Sequence, residues 1–164
     1  MRRTAIRAAL LACLFSAGGA QAQQGSQQLD FLAGDWSLHD PSGVAVGSSH
    51  IVVQVPGIMI FEQRRAGGNE AQPLWFENSE HHGGWTQLFV GAAGMVREFP
   101  RLSPPGEWPI VMGADVTLRD GTPVRFRLTM SRASNDETRR VLERSTDRGA
   151  TWSTVFDYTY RRTG

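Results

Sequence analysis

Two charged residues on neighbouring candidate strands have the types and spacing expected of a polar site inside a β-domain. Alternation along residues 123–132 gives Arg127 one strand face, and alternation along 138–145 does the same for Glu143. If both side chains point inward, they form a buried ion pair. Such a pair either orients a polar group of a ligand or only satisfies its own charges within the core. Arg127 and Glu143 are therefore candidate ligand-binding residues.

Aromatic and amide side chains supply the remaining candidates for a binding site. Trp85 and Gln87 share one face of a candidate strand, and Trp36 lies in the first strand of the chain. We expect these three residues, together with the ion pair, to line or close an apolar cup for a small apolar or amphipathic molecule. Trp75 and Trp108 are expected as loop aromatics at the mouth of that cup.

A cofactor-free enzyme is the alternative function. Glu143 or Glu62 would act as a general base beside Arg127, which would stabilise an anion. The chain has no G-x-S-x-G motif, and all of its seventeen basic residues are arginine, which excludes a Schiff base on lysine. We assign no catalytic residue from the sequence.

The histidines do not form a metal-binding pattern. His81 and His82 are adjacent, so on a strand they would point to opposite faces, and the segment Glu80–Gly84 has the composition of an exposed turn. No histidine follows His82 to serve as a late axial ligand for haem. The sequence predicts no metal and no other cofactor.

Short alternating runs separated by Gly, Pro, Asn and Asp predict an all-β fold without long helices. One helical turn is expected at Leu29–Leu32. About ten antiparallel strands favour a closed or nearly closed barrel, with a sandwich as the alternative. The candidate strands are Trp36–His39, Ser49–Val55, Ile58–Arg64, Leu74–Asn78, Trp85–Val90, Val96–Pro100, Pro109–Leu118, Pro123–Arg132, Thr138–Ser145 and Thr151–Arg161.

One segment near the end of the chain predicts a specific hairpin. Residues 145–152 read Ser-Thr-Asp-Arg-Gly-Ala-Thr-Trp and match S-x-D-x-G-x-T-W, so they resemble the Asp-box hairpin of sialidases and other β-propellers. In such a turn the Asp accepts backbone N–H bonds and the Gly adopts a conformation that other residues resist. A single copy in a short chain indicates a structural hairpin and not glycosidase activity.

Motifs along nearly the whole chain after residue 22 resemble exported bacterial lipocalin-like proteins of uncharacterised function. The match rests on Asp30–Trp36 with its G-x-W start, Trp85–Gln87, Arg127–Thr129 and the closing run from Glu143 to Arg162. This resemblance implies a calycin-like β-barrel in which Trp36 seals one end beneath a closing arginine. It also implies a location outside the cytoplasm, periplasmic or secreted.

The first 22 residues predict a cleavable signal peptide. Arg2, Arg3 and Arg7 precede an apolar run, and Ala20-Gln21-Ala22 has small residues at the positions expected before a cut. A lipid-attachment site at Cys13 is the less favoured alternative. We expect a polar, flexible leader at 23–28 and a single barrel domain across 23–164, with no membrane span.

Composition after residue 22 excludes several chemistries. The only cysteine is Cys13, so removal of the signal peptide leaves no disulfide and no thiolate. Fourteen arginines then stand against sixteen acidic residues, and this slightly negative balance argues against a nucleic-acid partner. A further alternative function is an interaction module that uses the Pro-rich loop Arg101–Trp108. The oligomeric state is not predicted.

Overall fold

The computed structural model describes residues 27–78, 84–91 and 94–164, and most of them lie in β-strands. The expected signal peptide, most of the leader and the His81-His82 pair lie outside these ranges. No helix within them is long and apolar enough to cross a membrane. The elements are a 3₁₀ helix at Gln27–Leu32 and strands β1 Gly34–His39, β2 Ala45–Val55, β3 Met59–Ala66, β4 Asn69–Ala71, β5 Leu74–Asn78, β6 Gly84–Val90, β7 Val96–Phe99, β8 Ile110–Thr117, β9 Pro123–Arg132, β10 Glu137–Ser145 and β11 Ser153–Arg162.

The strands form one antiparallel sheet that curls into a nearly closed barrel, as predicted. Its order is β7-β6-β5-β3-β2-β1-β11-β10-β9-β8, with β4 attached beside β3. The two ends of this row meet just after β7, where Arg101 forms a bridge with Met112. There the N–H of Leu102 donates to the carbonyl of Val111 at 2.7 Å. This closure covers part of the sheet edges that an open sheet would leave unpaired.

Strand β4 is the one element that the sequence did not predict. It has three residues, too few for an alternation of apolar and polar side chains to be visible. Gly67 and Gly68 make the turn that leads into it, and both have positive φ angles, +57° and +76°. Without a Cβ they adopt this left-handed conformation at little cost, so β3 can reverse directly into β4.

Trp36 and Arg162 close the barrel end at which the 3₁₀ helix lies. The indole Nε1 of Trp36 donates to the carbonyl of Leu32 at 2.8 Å. The Arg162 guanidinium lies 4.3 Å from the centre of the Trp36 ring and donates to the carbonyls of Ala33 and Phe31 at 2.6 and 2.7 Å. The arginine therefore joins the last strand to the helix across the buried indole, as the resemblance implies.

The hairpin between β10 and β11 has the geometry expected from its motif. The Asp147 carboxylate accepts hydrogen bonds from the Thr151 N–H at 2.9 Å, the Thr151 hydroxyl at 2.6 Å and the Ser145 hydroxyl at 2.6 Å. Gly149 has a φ of +97°, and the Trp152 indole donates to its carbonyl at 3.1 Å. The motif is therefore a structural turn in this chain.

Replacing Asp147 by alanine should lower the melting temperature by a few degrees at neutral pH, and the loss should disappear in acid. Hydrogen bonds from Ser145 and Thr151 hold the pKa of Asp147 well below its usual 3.8. The stabilisation is therefore present above about pH 4 and is lost as the pH falls towards the folded-state pKa. Thermal unfolding between pH 2 and 7 measures this. Thr151→Val, which removes one of these hydrogen bonds and keeps the carboxylate, should give a smaller loss that also declines in acid.

Candidate functional site

Arg127 and Glu143 form the predicted ion pair, but on the outer face of the barrel. Arg127 donates to Glu143 at 2.9 Å, and the two side chains are 39% and 23% exposed. Arg127 also lies 4.2 Å from the centre of the Trp152 ring on the hairpin. The expected inward orientation is wrong because Leu128 and its apolar partners at every second position take the inner face of β9. The pair therefore joins the hairpin to the sheet.

The buried charge at the centre of the barrel is Glu62, on β3. Its carboxylate accepts four hydrogen bonds, from Ser49 at 2.8 Å, Tyr160 at 3.2 Å, the Trp75 indole at 3.4 Å and Arg140 at 2.5 Å. All five side chains are buried. The four donors come from β2, β5, β10 and β11, so this one carboxylate on β3 links opposite walls of the barrel. We call these five residues the central network.

The charges of the central network stabilise one another. Burial alone would raise the pKa of Glu62, but the guanidinium groups of Arg140 and Arg64 outweigh it, so the pKa lies below the usual range. Burial likewise favours loss of the proton from Arg64, yet the Tyr160 hydroxyl and Glu62 reverse this effect and raise its pKa. Burial and Glu62 together raise the pKa of the Tyr160 hydroxyl. At neutral pH the barrel therefore contains one carboxylate, two guanidinium groups and a neutral phenol.

A small pocket lies directly beside the central network, at the barrel end opposite the 3₁₀ helix. Its volume is about 20 Å³, which is room for roughly one water molecule. We call it the mouth pocket. Five apolar side chains and four polar ones line it, namely Phe89, Phe99, Leu128, Leu142, Phe156, Arg64, Gln87, Arg97 and Arg140.

Arg140 enters the mouth pocket with part of its hydrogen-bonding capacity unused. Its side chain is 1% exposed, and its Nη1 is occupied by Glu62. Within the described part of the chain, its Nε and Nη2 have no hydrogen-bond acceptor. The guanidinium lies 4.1 Å from the Tyr160 ring centre and 5.2 Å from that of Trp75. A buried N–H without a partner costs about 1–3 kcal/mol, so this group is prepared for an acceptor.

Arg64 lies between two aromatic rings of the same pocket. Its guanidinium carbon is 4.8 Å from the centre of the Phe156 ring and 5.6 Å from that of Phe89. Such cation–π contacts hold a cation without neutralising its charge. Glu62 favours the charged form of Arg64, but its direct ion pair is with Arg140. The positive charge of Arg64 is therefore carried into the pocket.

The five residues expected to bind ligand do not converge on one place. Gln87 lines the mouth pocket, and Trp85 is buried elsewhere in the interior. Trp36 lies at the closed end beneath Arg162, while the outer ion pair lies outside the wall. The expectation for Trp75 is wrong, since this residue belongs to the central network and is fully buried. Trp108 packs edge-on against Phe31 beside the 3₁₀ helix, with ring centres 5.9 Å apart, and so lies far from the mouth pocket.

The alternation of apolar and polar residues along the strands could have identified the residues that the sequence analysis missed, Arg64 and Arg140. In β9 the apolar residues recur at every second position and leave Arg127 between them on the outer face. In β10, Arg140 is in phase with Leu142 and Thr138, whereas Glu143 follows a bulge. Arg140 and Arg64 were not selected because arginine is rarely fully buried. Arg64 lies two positions after Glu62 on β3, so alternation places both side chains on one face, which is the buried one.

No group of three or more potential metal ligands occurs within residues 27–78, 84–91 and 94–164. His39 is the last residue of β1, His50 lies in the middle of β2, and each contacts a side chain of β1. His50 contacts Asp35 at 2.6 Å, and His39 contacts Ser37 at 2.9 Å. Nothing in these contacts would hold a cofactor.

The geometry thus indicates a nearly closed antiparallel barrel with a cationic pocket at one end. Comparison with protein-family models and with curated proteins finds no match to this chain.

Proposed function

We propose that this protein binds a small amphipathic molecule at the mouth pocket of a lipocalin-like barrel, outside the cytoplasm. The observation that carries the proposal is the fully buried Arg140 guanidinium, which presents two unpartnered donor groups to a pocket lined otherwise by apolar rings. Small-molecule sites characteristically combine an apolar lining with a few convergent polar groups.

The size of the pocket defines how such a molecule would bind. A volume of about 20 Å³ admits one polar group and not a whole ligand. The body of the ligand would therefore lie against the rings of Phe89 and Phe156 after the Arg64 side chain moves from between them. Arginine carries a long flexible stem, so this movement requires no change in the backbone.

The alternative functions gain less support from the geometry. Arg127 and Glu62 lie on opposite faces of the sheet, so they cannot act on one substrate, and Arg127 with Glu143 forms an outer ion pair. The loop Arg101–Trp108 is folded around the buried side chain of its own first residue, Arg101. That side chain donates to the carbonyls of Ser103, Pro104 and Glu107 at 2.6–2.9 Å. We therefore place the function at the mouth pocket.

Isothermal titration of the purified protein with 1-octanol and octanoate tests the proposal. We expect at least one of them to bind, and native mass spectrometry of protein taken from its own host to show a bound small molecule. Leu142→Phe should weaken binding about tenfold because the added ring fills the pocket. Val141→Phe, the neighbouring substitution on the outer face, should leave binding unchanged. If neither compound binds at millimolar concentration and the native protein is empty, the proposed function is wrong.

A further inference from the structure

The interior of the barrel carries an unbalanced positive charge, and this inference rests on the proposed function. Arg64 and Arg140 are both buried, and the carboxylate that faces them from β3 is Glu62. Arg97 adds a third guanidinium to the lining of the mouth pocket, half-buried and 4.4 Å from the Phe126 ring centre. A charge held in a low-dielectric interior is costly unless an opposite charge lies close to it.

Glu62 cannot supply the missing acceptor. Its Oε1 already accepts from Ser49 and Tyr160, and its Oε2 accepts from Trp75 and Arg140. Two oxygens of a carboxylate offer about four acceptor positions, so its capacity is used. The Nε and Nη2 groups of Arg140 require an acceptor that comes from outside the central network.

We propose that the ligand of the mouth pocket is an amphipathic monocarboxylic acid, whose carboxylate is received by Arg140 and Arg64. The planar guanidinium and the planar carboxylate match in geometry, and Arg140 offers two adjacent donors, Nε and Nη2, which suit the two oxygens. Among the buried groups, the two arginines and Glu62 leave one net positive charge, which a monoanion balances, whereas Arg97 is only half-buried. The apolar chain of the acid lies against Phe89, Phe156 and Leu142.

A comparison of a charged ligand with its neutral counterpart tests this inference. We expect octanoate to bind at least about tenfold more tightly than 1-octanol at pH 7.5, since hydrogen bonds between charged partners are stronger than those of a neutral hydroxyl. Acetate, which has the same charged group without the chain, should bind far more weakly. Titration calorimetry at constant ionic strength measures all three.

Substitutions of a buried arginine and of the buried carboxylate distinguish a ligand site from a purely structural network. Arg64→Met leaves the Glu62–Arg140 ion pair in place and should reduce the preference for octanoate over octanol to about twofold or less, whereas Arg64→Lys should retain most of it. Glu62→Gln removes the competing carboxylate and should strengthen octanoate binding about tenfold without affecting octanol. Circular dichroism of each variant verifies that the barrel is folded. Arg127→Met, on the outer face, should change neither affinity.

The outcomes distinguish the two proposals. Equal affinities for octanoate and octanol in the unmodified protein would overturn the assignment of an acid and leave the proposed function standing. Octanoate binding that is unchanged in folded Arg64→Met and in Glu62→Gln would also overturn the assignment, because the carboxylate would then lie elsewhere. Absence of binding by both compounds would contradict the proposed function itself.

Discussion

Arg140→Met should lower the free energy of unfolding by about 3–5 kcal/mol. Glu62 is fully buried, and its Oε2 lies 2.5 Å from Arg140 Nη1. Removing the guanidinium leaves a carboxylate in the barrel centre with only neutral donors in direct contact. The loss of the unused Nε and Nη2 groups offsets a small part of this cost. Urea unfolding followed by the tryptophan fluorescence measures the change.

The same substitution should reverse the pH dependence of stability that Glu62 contributes. In the unmodified protein the pKa of Glu62 is lowered, so its stabilisation is present above about pH 4.5 and is lost as the pH falls. Without Arg140 we expect burial to dominate and to raise this pKa. The stability of the variant is then greatest below pH 4.5 and falls as the pH rises through the raised pKa. Urea unfolding at pH 4 and at pH 7.5 measures this. The difference in unfolding free energy between the two proteins should be smaller at pH 4.

Two controls identify the cause. Arg127→Met removes the same type of residue from an ion pair that is partly exposed, and it should cost less than about 1 kcal/mol. Glu62→Gln combined with Arg140→Met removes both charges and should recover much of the lost stability. If Arg140→Met and Arg127→Met have equal effects, the central network does not stabilise the barrel as its burial indicates.

Trp36→Ala should lower the free energy of unfolding by about 3–5 kcal/mol. The indole is 1% exposed, packs in the core beneath the 3₁₀ helix and donates to the Leu32 carbonyl. Its loss leaves a large cavity and removes the ring on which the Arg162 guanidinium stacks. We expect the helix to detach from the barrel end as a consequence. Hydrogen exchange should show loss of protection at Gln27–Leu32 before the strands are affected.

Trp152 provides a matched control for Trp36. Its indole also donates to a backbone carbonyl, that of Gly149, and an arginine, Arg127, also stacks on its ring. It differs because it lies half-buried on the outer hairpin. Trp152→Ala should therefore cost about 1–2 kcal/mol, mainly through the cation–π contact and partial burial. If both variants lose the same free energy of unfolding, Trp36 does not contribute to core packing as its burial indicates.

Much of the fold was predictable because it depends on local patterns. Short apolar runs between turn residues located ten of the eleven strands, and Leu74–Asn78 and Pro123–Arg132 agree with the structure to the residue. The hairpin at Asp147 and the closure at Trp36 follow from motifs whose residues bond to near neighbours or to the end of the chain. Strand β4 was not predicted because three residues are too few to show an alternation of apolar and polar side chains.

The candidate site was less predictable because it depends on which strand face points inward. The apolar residues at every second position of β9 mark its inner face, whereas the sequence of β10 carries no such clear mark, and the choice of Arg127 and Glu143 selected the outer face of both strands. A shift of one residue moves every side chain of a strand to the other face. The sequence named Glu62 as a possible general base, and the structure shows that it is buried. Two of its partners, Arg140 and Tyr160, come from strands distant in the chain.

Local periodicity and turn chemistry predict the antiparallel strands and the Asp147 hairpin, and the resemblance to lipocalin-like proteins implies the Trp36 closure. Only the tertiary structure brings Arg140 into the interior beside Glu62 and Arg64, which lie two residues apart on β3. Arg140 and Glu62 are 78 positions apart, and their contact exists only because the sheet curls until β3 faces β10 across the barrel. The distance between Arg140 and Glu62 depends on closure of the whole sheet, so a local sequence pattern cannot predict it. The ion pair that the sequence predicted forms as well, between adjacent strands, where local register was sufficient.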